Sequence, residues 1–84
     1  MLQFDLITPE KKLVSRKVEM VVVPGTEGEF GVMEGHMPLI SSLKEGNIEI
    51  YEGDRVVESF HVSSGFAEAN NEKLVVLASD IAKL

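Results

Sequence analysis

The sequence has no cysteine. That removes disulfides, thiolate chemistry and cysteine-ligated zinc together, and leaves a reducing, cytosolic-type compartment permitted. Long apolar runs are also missing. Stretches such as Met20–Val23 and Leu74–Leu77 fall far short of the ~20 residues a membrane helix requires. The opening Met1–Leu6 lacks the basic and long apolar regions of a signal peptide. The chain is therefore expected to be soluble, or to meet a membrane only through a partner. Positive charge is scarce: 8 Lys and Arg against 14 Asp and Glu give a net charge of -6, which repels phosphate backbones and makes nucleic acid a poor partner.

Catalytic signatures are equally thin. The glycine-rich stretch from Gly25 to Gly35 invites a phosphate-loop reading, but no lysine occurs between Lys17 and Lys44, and Glu27 and Glu29 would repel phosphate. The two histidines, His36 and His61, have no ligand spacing between them, so no metal is expected. Candidate serines at 41, 42, 63 and 64 lie in no Gly-x-Ser-x-Gly context. Glu27 and Glu29 would share one face of a strand, as an acid and base pair might, and so would two solvated glutamates. Lys11, Lys12, Arg16 and Lys17 form a basic cluster that suits the guarding of an edge strand or contact with an acidic partner.

What is present is period two. With 84 residues the chain is expected to be one domain, 1–84, with one core that buries roughly 60 to 65% of the unfolded chain's surface. That leaves no room for a buried cofactor and puts function on the outside. Gln3–Thr8 alternates, with Phe4 and Leu6 on one side and Gln3 and Asp5 on the other. Val14, Val18, Met20 and Val22 predict a second, longer strand bent near Ser15–Lys17. Pro24-Gly25 ends it, and short strands with tight turns follow. Gly46-Asn47 reads as a turn pair before the hairpin in which Ile48 and Ile50 precede Glu52-Gly53-Asp54 and the arm Arg55–Val62. Phe66–Ala69 and Lys73–Ala78 complete the pattern, and the run Leu74–Leu77 predicts a strand buried on both sides. Only Leu39–Leu43 and Ser79–Leu84 offer a helical turn. The fold class is all-β, a sandwich or flattened barrel. A free-standing β-sandwich ligand- or protein-binding module is one function such a chain allows, and a minimal hydrolase using Glu27 and Glu29 another.

Taken whole, Val23–Ile40 closely resembles the signature of the epsilon subunit of F-type ATP synthase, called delta in mitochondria. Gly28-Glu29-Phe30-Gly31-Val32 and Gly35-His36-Met37-Pro38-Leu39 carry the match. Lys44-Glu45-Gly46, Phe4–Pro9, Ser64–Glu68 and Leu74–Ala78 agree in the flanks, so the resemblance covers essentially the whole chain. It departs at Glu34, where the family has proline, and at Met37, where it has alanine.

The resemblance implies a ten-stranded flattened β-barrel or sandwich, in agreement with the periodicity. It also implies a non-catalytic rotor subunit of the central stalk. Such a subunit binds the gamma subunit and the c-ring and helps couple proton translocation to ATP synthesis. It needs no cofactor of its own and is peripheral at the cytoplasmic face of a bacterial inner membrane, or its organelle equivalent. Carried over by position, the partner-binding loop comprises Glu29, Phe30, Gly31, Val32, Met33, His36, Pro38 and Leu39, with Glu29 facing the c-ring. Because the sequence stops at Leu84, the resemblance is to short forms without the C-terminal helical hairpin, whose inhibitory and nucleotide-binding roles are not carried over.

Overall fold

In a computed structural model covering residues 1–84, every regular element is a strand. In chain order they are β1 (Leu2–Ile7), β2 (Lys12–Val18), β3 (Met20–Gly25), β4 (Gly28–Met33), β5 (Leu39–Leu43), β6 (Gly46–Glu52), β7 (Arg55–Val62), β8 (Ser64–Ala69), β9 (Lys73–Ser79) and β10 (Ala82–Lys83). They pair in the order β10-β7-β6-β3-β5-β8-β9-β1-β2, and β4 adds to the far side of β3. All pairs are antiparallel except β1 with β9. Two layers result. β3 belongs mainly to the first, beside β6 and β4, and passes to the second through a single bridging pair, Gly25 with Leu43. The expected ten-stranded, flattened all-β architecture is what the chain forms.

The inner faces of both layers supply one apolar cluster of 18 residues. It includes Phe4 and Leu6 of β1, Val21 and Val23 of β3, Ile48 and Ile50 of β6, and Leu74 and Val76 of β9. Period two explains this: alternate side chains point inward, and each removes apolar area from water.

The opposite side of the wall closes differently. β2 and β10 stand at the two ends of the strand path and share no backbone ladder. Glu58 of β7 bridges them, accepting a hydrogen bond from Arg16 Nη2 of β2 at 2.8 Å and pairing with Lys83 Nζ of β10 at 2.9 Å. Leu13, Phe60 and Ile81 line the gap beside this clasp.

Several local expectations are corrected. The long strand breaks at Glu19, not at Ser15–Lys17, and its inward phase changes from Val14 and Val18 to Val21 and Val23. Met20 and Val22, grouped with the core by spacing, are therefore only half-buried. Gly46-Asn47 opens β6 instead of forming a turn, and Glu27 lies in the β3–β4 turn, so it shares no strand face with Glu29. Leu39–Leu43 and Ala82–Lys83 are strands, because β8 and β7 offer them ladders that a single helical turn cannot match. A register shift after Ile50 leaves Val57 without an opposite residue, which accounts for the broken alternation of β7.

Candidate functional site

The hairpin of β3 and β4 forms a hook, continued by the loop Glu34–Pro38 into β5. Proline has no N–H, and the carbonyl of Pro24 accepts from the Lys44 amide at 2.9 Å, on the β5 side. By alternation, Gly28, Phe30 and Val32 turn their backbone groups toward β3, while Glu29, Gly31 and Met33 turn theirs outward.

Side chains alternate as well. Val32 sits opposite Val21 and is fully buried. Expected at the contact surface, it is instead a core residue, because inward phase from β3 fixes the inward phase of β4. Phe30 and Leu39 are half-buried against the core. Glu29, Gly31 and Pro38 are exposed, and Met33 retains 54% of its surface.

The loop is tied by main-chain bonds. The Gly35 amide donates to the Asn71 carbonyl at 2.7 Å, and the His36 amide to the Met33 carbonyl at 3.1 Å. Gly35 has a φ of 91°, a value that favours a residue without Cβ. Half-buried His36 places Nδ1 2.6 Å from the Met37 carbonyl oxygen, so Nδ1 carries the proton and donates it. Glu34, where the family pattern has proline, pairs with the Met1 ammonium at 2.7 Å. That hydrogen bond holds its exposed carboxyl below the ordinary glutamate range. His61 lies elsewhere, between Asn47 and Glu45.

A second surface was not expected from the sequence. The register aligns Ser42, Phe66, Leu77 and Ile7 in one row across β5, β8, β9 and β1, and Ile40, Glu68, Val75 and Asp5 in the next. These rows face away from the core. Phe66 is 58%, Leu77 52% and Ile40 76% exposed; the half-buried Ile7 lies beyond Leu77 at the end of its row, and exposed Glu68 separates Ile40 from the half-buried Val75. Leu74–Leu77 is thus buried on one side only, and the apolar residue on its other side meets solvent. Single exposed apolar residues are ordinary, but a contiguous band marks a place where another surface docks. Met37, in the loop between β4 and β5, is 79% exposed. The sequence signal for the band was the unbroken run at Leu74–Leu77, which fits an outward apolar face as well as two-sided burial.

Beside the band, Asp5 is 4% exposed. Its carboxylate accepts from Gln3 Nε2 and Ser15 Oγ, each at 2.9 Å, and pairs with Lys73 Nζ at 3.4 Å and Lys12 Nζ at 3.7 Å. The Gln3 hydrogen bond, helped by Ser15 and the two lysines, holds its pKa below the ordinary value against the opposing effect of burial. A carboxyl depressed in the folded state stabilises above its unfolded pKa of about 3.9, and that contribution disappears as pH falls through the lower folded value. Asp5→Asn is therefore expected to lower stability by about 1–3 kcal/mol at neutral pH. The difference should shrink on acidification below pH ~4. Urea unfolding of both chains across this range checks it, and parallel pH curves would contradict it.

Comparison with known proteins gives the family. Residues 1–83 match the family described as ATP synthase, Delta/Epsilon chain, beta-sandwich domain. The ATP synthase epsilon chain of Paramagnetospirillum magneticum is 49% identical over 79 residues, 94% of this chain and 59% of that one. That of Hyphomonas neptunium is 42% identical over 83 residues, covering 99% and 62%. The chain thus spans about three-fifths of the length of these relatives. Among solved structures, a chain of the Euglena gracilis mitochondrial ATP synthase (OSCP/F1/c-ring) superposes with a TM-score of 0.87 at 24% identity, covering 98% of this chain and 52% of that one. A chain of the Tetrahymena thermophila mitochondrial ATP synthase (central stalk/c-ring) does so at 0.79 and 15% identity, covering 96% and 65%. At these identities the superpositions speak for the fold, while the family match across nearly every residue speaks for descent: the chain belongs to the delta/epsilon β-sandwich family of ATP synthase.

Proposed function

We propose that this chain serves as a non-catalytic rotor subunit of the central stalk of an F-type ATP synthase, peripheral at the cytoplasmic face of the membrane. It binds the gamma subunit and the c-ring and helps couple proton translocation to ATP synthesis. The observation that carries the reading is the exposed apolar band of Phe66, Leu77 and Ile40 in a member of this family. An apolar surface spread over four strands suits a long-lived protein contact, and gamma is the partner assigned to it. The hook, with Glu29, Phe30, Gly31, Met33, His36, Pro38 and Leu39, is assigned to the c-ring side. Val32 supports it from within the core. No helix is long and apolar enough to cross a membrane, so in this reading the membrane is reached through the complex.

Co-expression with the gamma subunit of the same source tests the proposal. A stable complex is the expected result, and two separately eluting proteins would overturn it. At the hook, Glu29→Lys is expected to leave the isolated fold within about 0.5 kcal/mol of the parent, because the residue is exposed. The same change is expected to impair ATP-driven proton pumping, since reversing a contact charge repels a partner chosen for the opposite sign. Reconstituted vesicles pumping at the parental rate would remove Glu29 from the contact.

A further inference from the structure

We infer that the free edge of β4 is a main-chain docking site, which takes an extended, basic segment of the partner polypeptide as one more antiparallel or parallel strand. The inference rests on the hook being a contact of the assembly and specifies how that contact is made.

The geometry comes from backbone bonding. β4 pairs with β3 on one side and with nothing on the other. The N–H and C=O of Glu29 and Gly31 and the N–H of Met33 point to that open side, and no hydrogen bond within the chain uses them. Only the Met33 carbonyl is taken, by the His36 amide. The vacant groups alternate at strand spacing, the arrangement that β-strand addition exploits.

Folded proteins usually protect such an edge with lysine, arginine, proline or a covering loop. The end strand β2 follows that rule, with Lys12, Arg16 and Lys17 along it. β4 does not. From Val18 to Leu43 the chain has no lysine or arginine at all, and the acidic Glu27, Glu29 and Glu34 surround the open edge. A segment bearing Lys or Arg would meet complementary charge on approach and main-chain partners on arrival. Exposed Glu29 and Met33 flank Gly31 on one face of the strand. On that face Met20 of β3 already reaches over Gly31, so the docking contact is one of main chain and charge.

Amide hydrogen exchange on the free chain and on its complex with gamma and c-ring tests this. In the free chain, the amides of Glu29, Gly31 and Met33 are expected to exchange fast and those of Phe30 and Val32 slowly. In the complex the first three are expected to slow by about 100-fold or more. An intact complex in which Glu29 and Gly31 still exchange fast overturns the docking mode and leaves the rotor reading standing. Failure to form the complex overturns both. Gly31→Pro removes one outward N–H without touching the β3 ladder, and is expected to weaken assembly at least tenfold. Gly31→Ala keeps the N–H and adds a Cβ 3.3 Å from the flexible Met20 Sδ and 3.8 Å from Val22 Cγ2, so a clearly smaller loss than that of the proline variant is expected. Equal assembly by the two variants contradicts the inference. If the proline variant fails to fold, the exchange pattern of the parent decides alone.

Discussion

Gly65→Ala is expected to be the most damaging single-methyl change in the chain. An added Cβ would overlap the carbonyl oxygen of Leu77 and lie 3.0 Å from the Cα and Cβ of Ala78. The obstacle is backbone of the neighbouring strand, which cannot rotate away as a side chain would. β8 and β9 must separate at the Gly65–Ala78 pair, and β9 is held from its other side by β1. The cost is expected to be about 2–4 kcal/mol, at or above the upper end of ordinary overpacking. For a domain of this size that lowers the midpoint of thermal unfolding by roughly 10–25 °C. Gly35→Ala is the informative control, because a Cβ there meets nothing within 4 Å although φ is 91°. It carries only the strain of the left-handed region, about 1–2 kcal/mol. Thermal or urea unfolding of the two isolated variants compares them. A Gly65→Ala chain as stable as Gly35→Ala would show that the strands yield easily.

Phe66→Asp combined with Leu77→Asp should do the opposite, sparing the fold and removing the partner. Both side chains lie on the solvent side, more than half exposed, so their loss leaves the 18-residue core untouched. In the proposed contact with gamma they are the central anchors. Desolvating two carboxylates against an apolar surface costs several kcal/mol. Affinity for gamma is expected to fall by more than about 100-fold, equivalent to roughly 2.8 kcal/mol. Calorimetric titration supplies the affinity, and the unfolding midpoint shows that the fold survives. Unchanged affinity would move gamma to another face of the molecule.

Local alternation made much of this molecule legible. Phe4 and Leu6, Ile48 and Ile50, and Phe60 and Val62 all point inward as their spacing predicts. It failed where the physics is not local. The phase slip at Glu19 follows from the chain passing between neighbours, and nothing in the spacing of valines reveals it. β5 is a strand because β8 lies beside it. Leu77 belongs to an apolar run, yet whether its outward side meets a second layer or solvent depends on what covers β9. Alternation put Asp5 on the side away from Phe4 and Leu6, yet it is buried. Its burial comes from Gln3, Ser15, Lys12 and Lys73 converging from three strands. For the hook, the motif marked the segment as one unit, but alternation sorts it into side chains that support, such as Val32, and groups that face out, such as Glu29 and Gly31.

The carboxylate of Glu58, holding Arg16 on one side and Lys83 on the other, gives the wall a mechanical grain. Most neighbouring strands are stitched by repeated amide bonds that must fail together, and even the single Gly25–Leu43 bridge is closed by two amide bonds. Along this line the Arg16–Glu58 pair and a few apolar contacts hold β2 to the other side, because Lys83 lies on a strand already laddered to β7. A twisting load is therefore expected to open the protein there first, as a zip opens at its slider, with the hook and the ladders behind it still intact. Rising ionic strength, which screens charge pairs but hardly affects amide ladders, should make that opening easier.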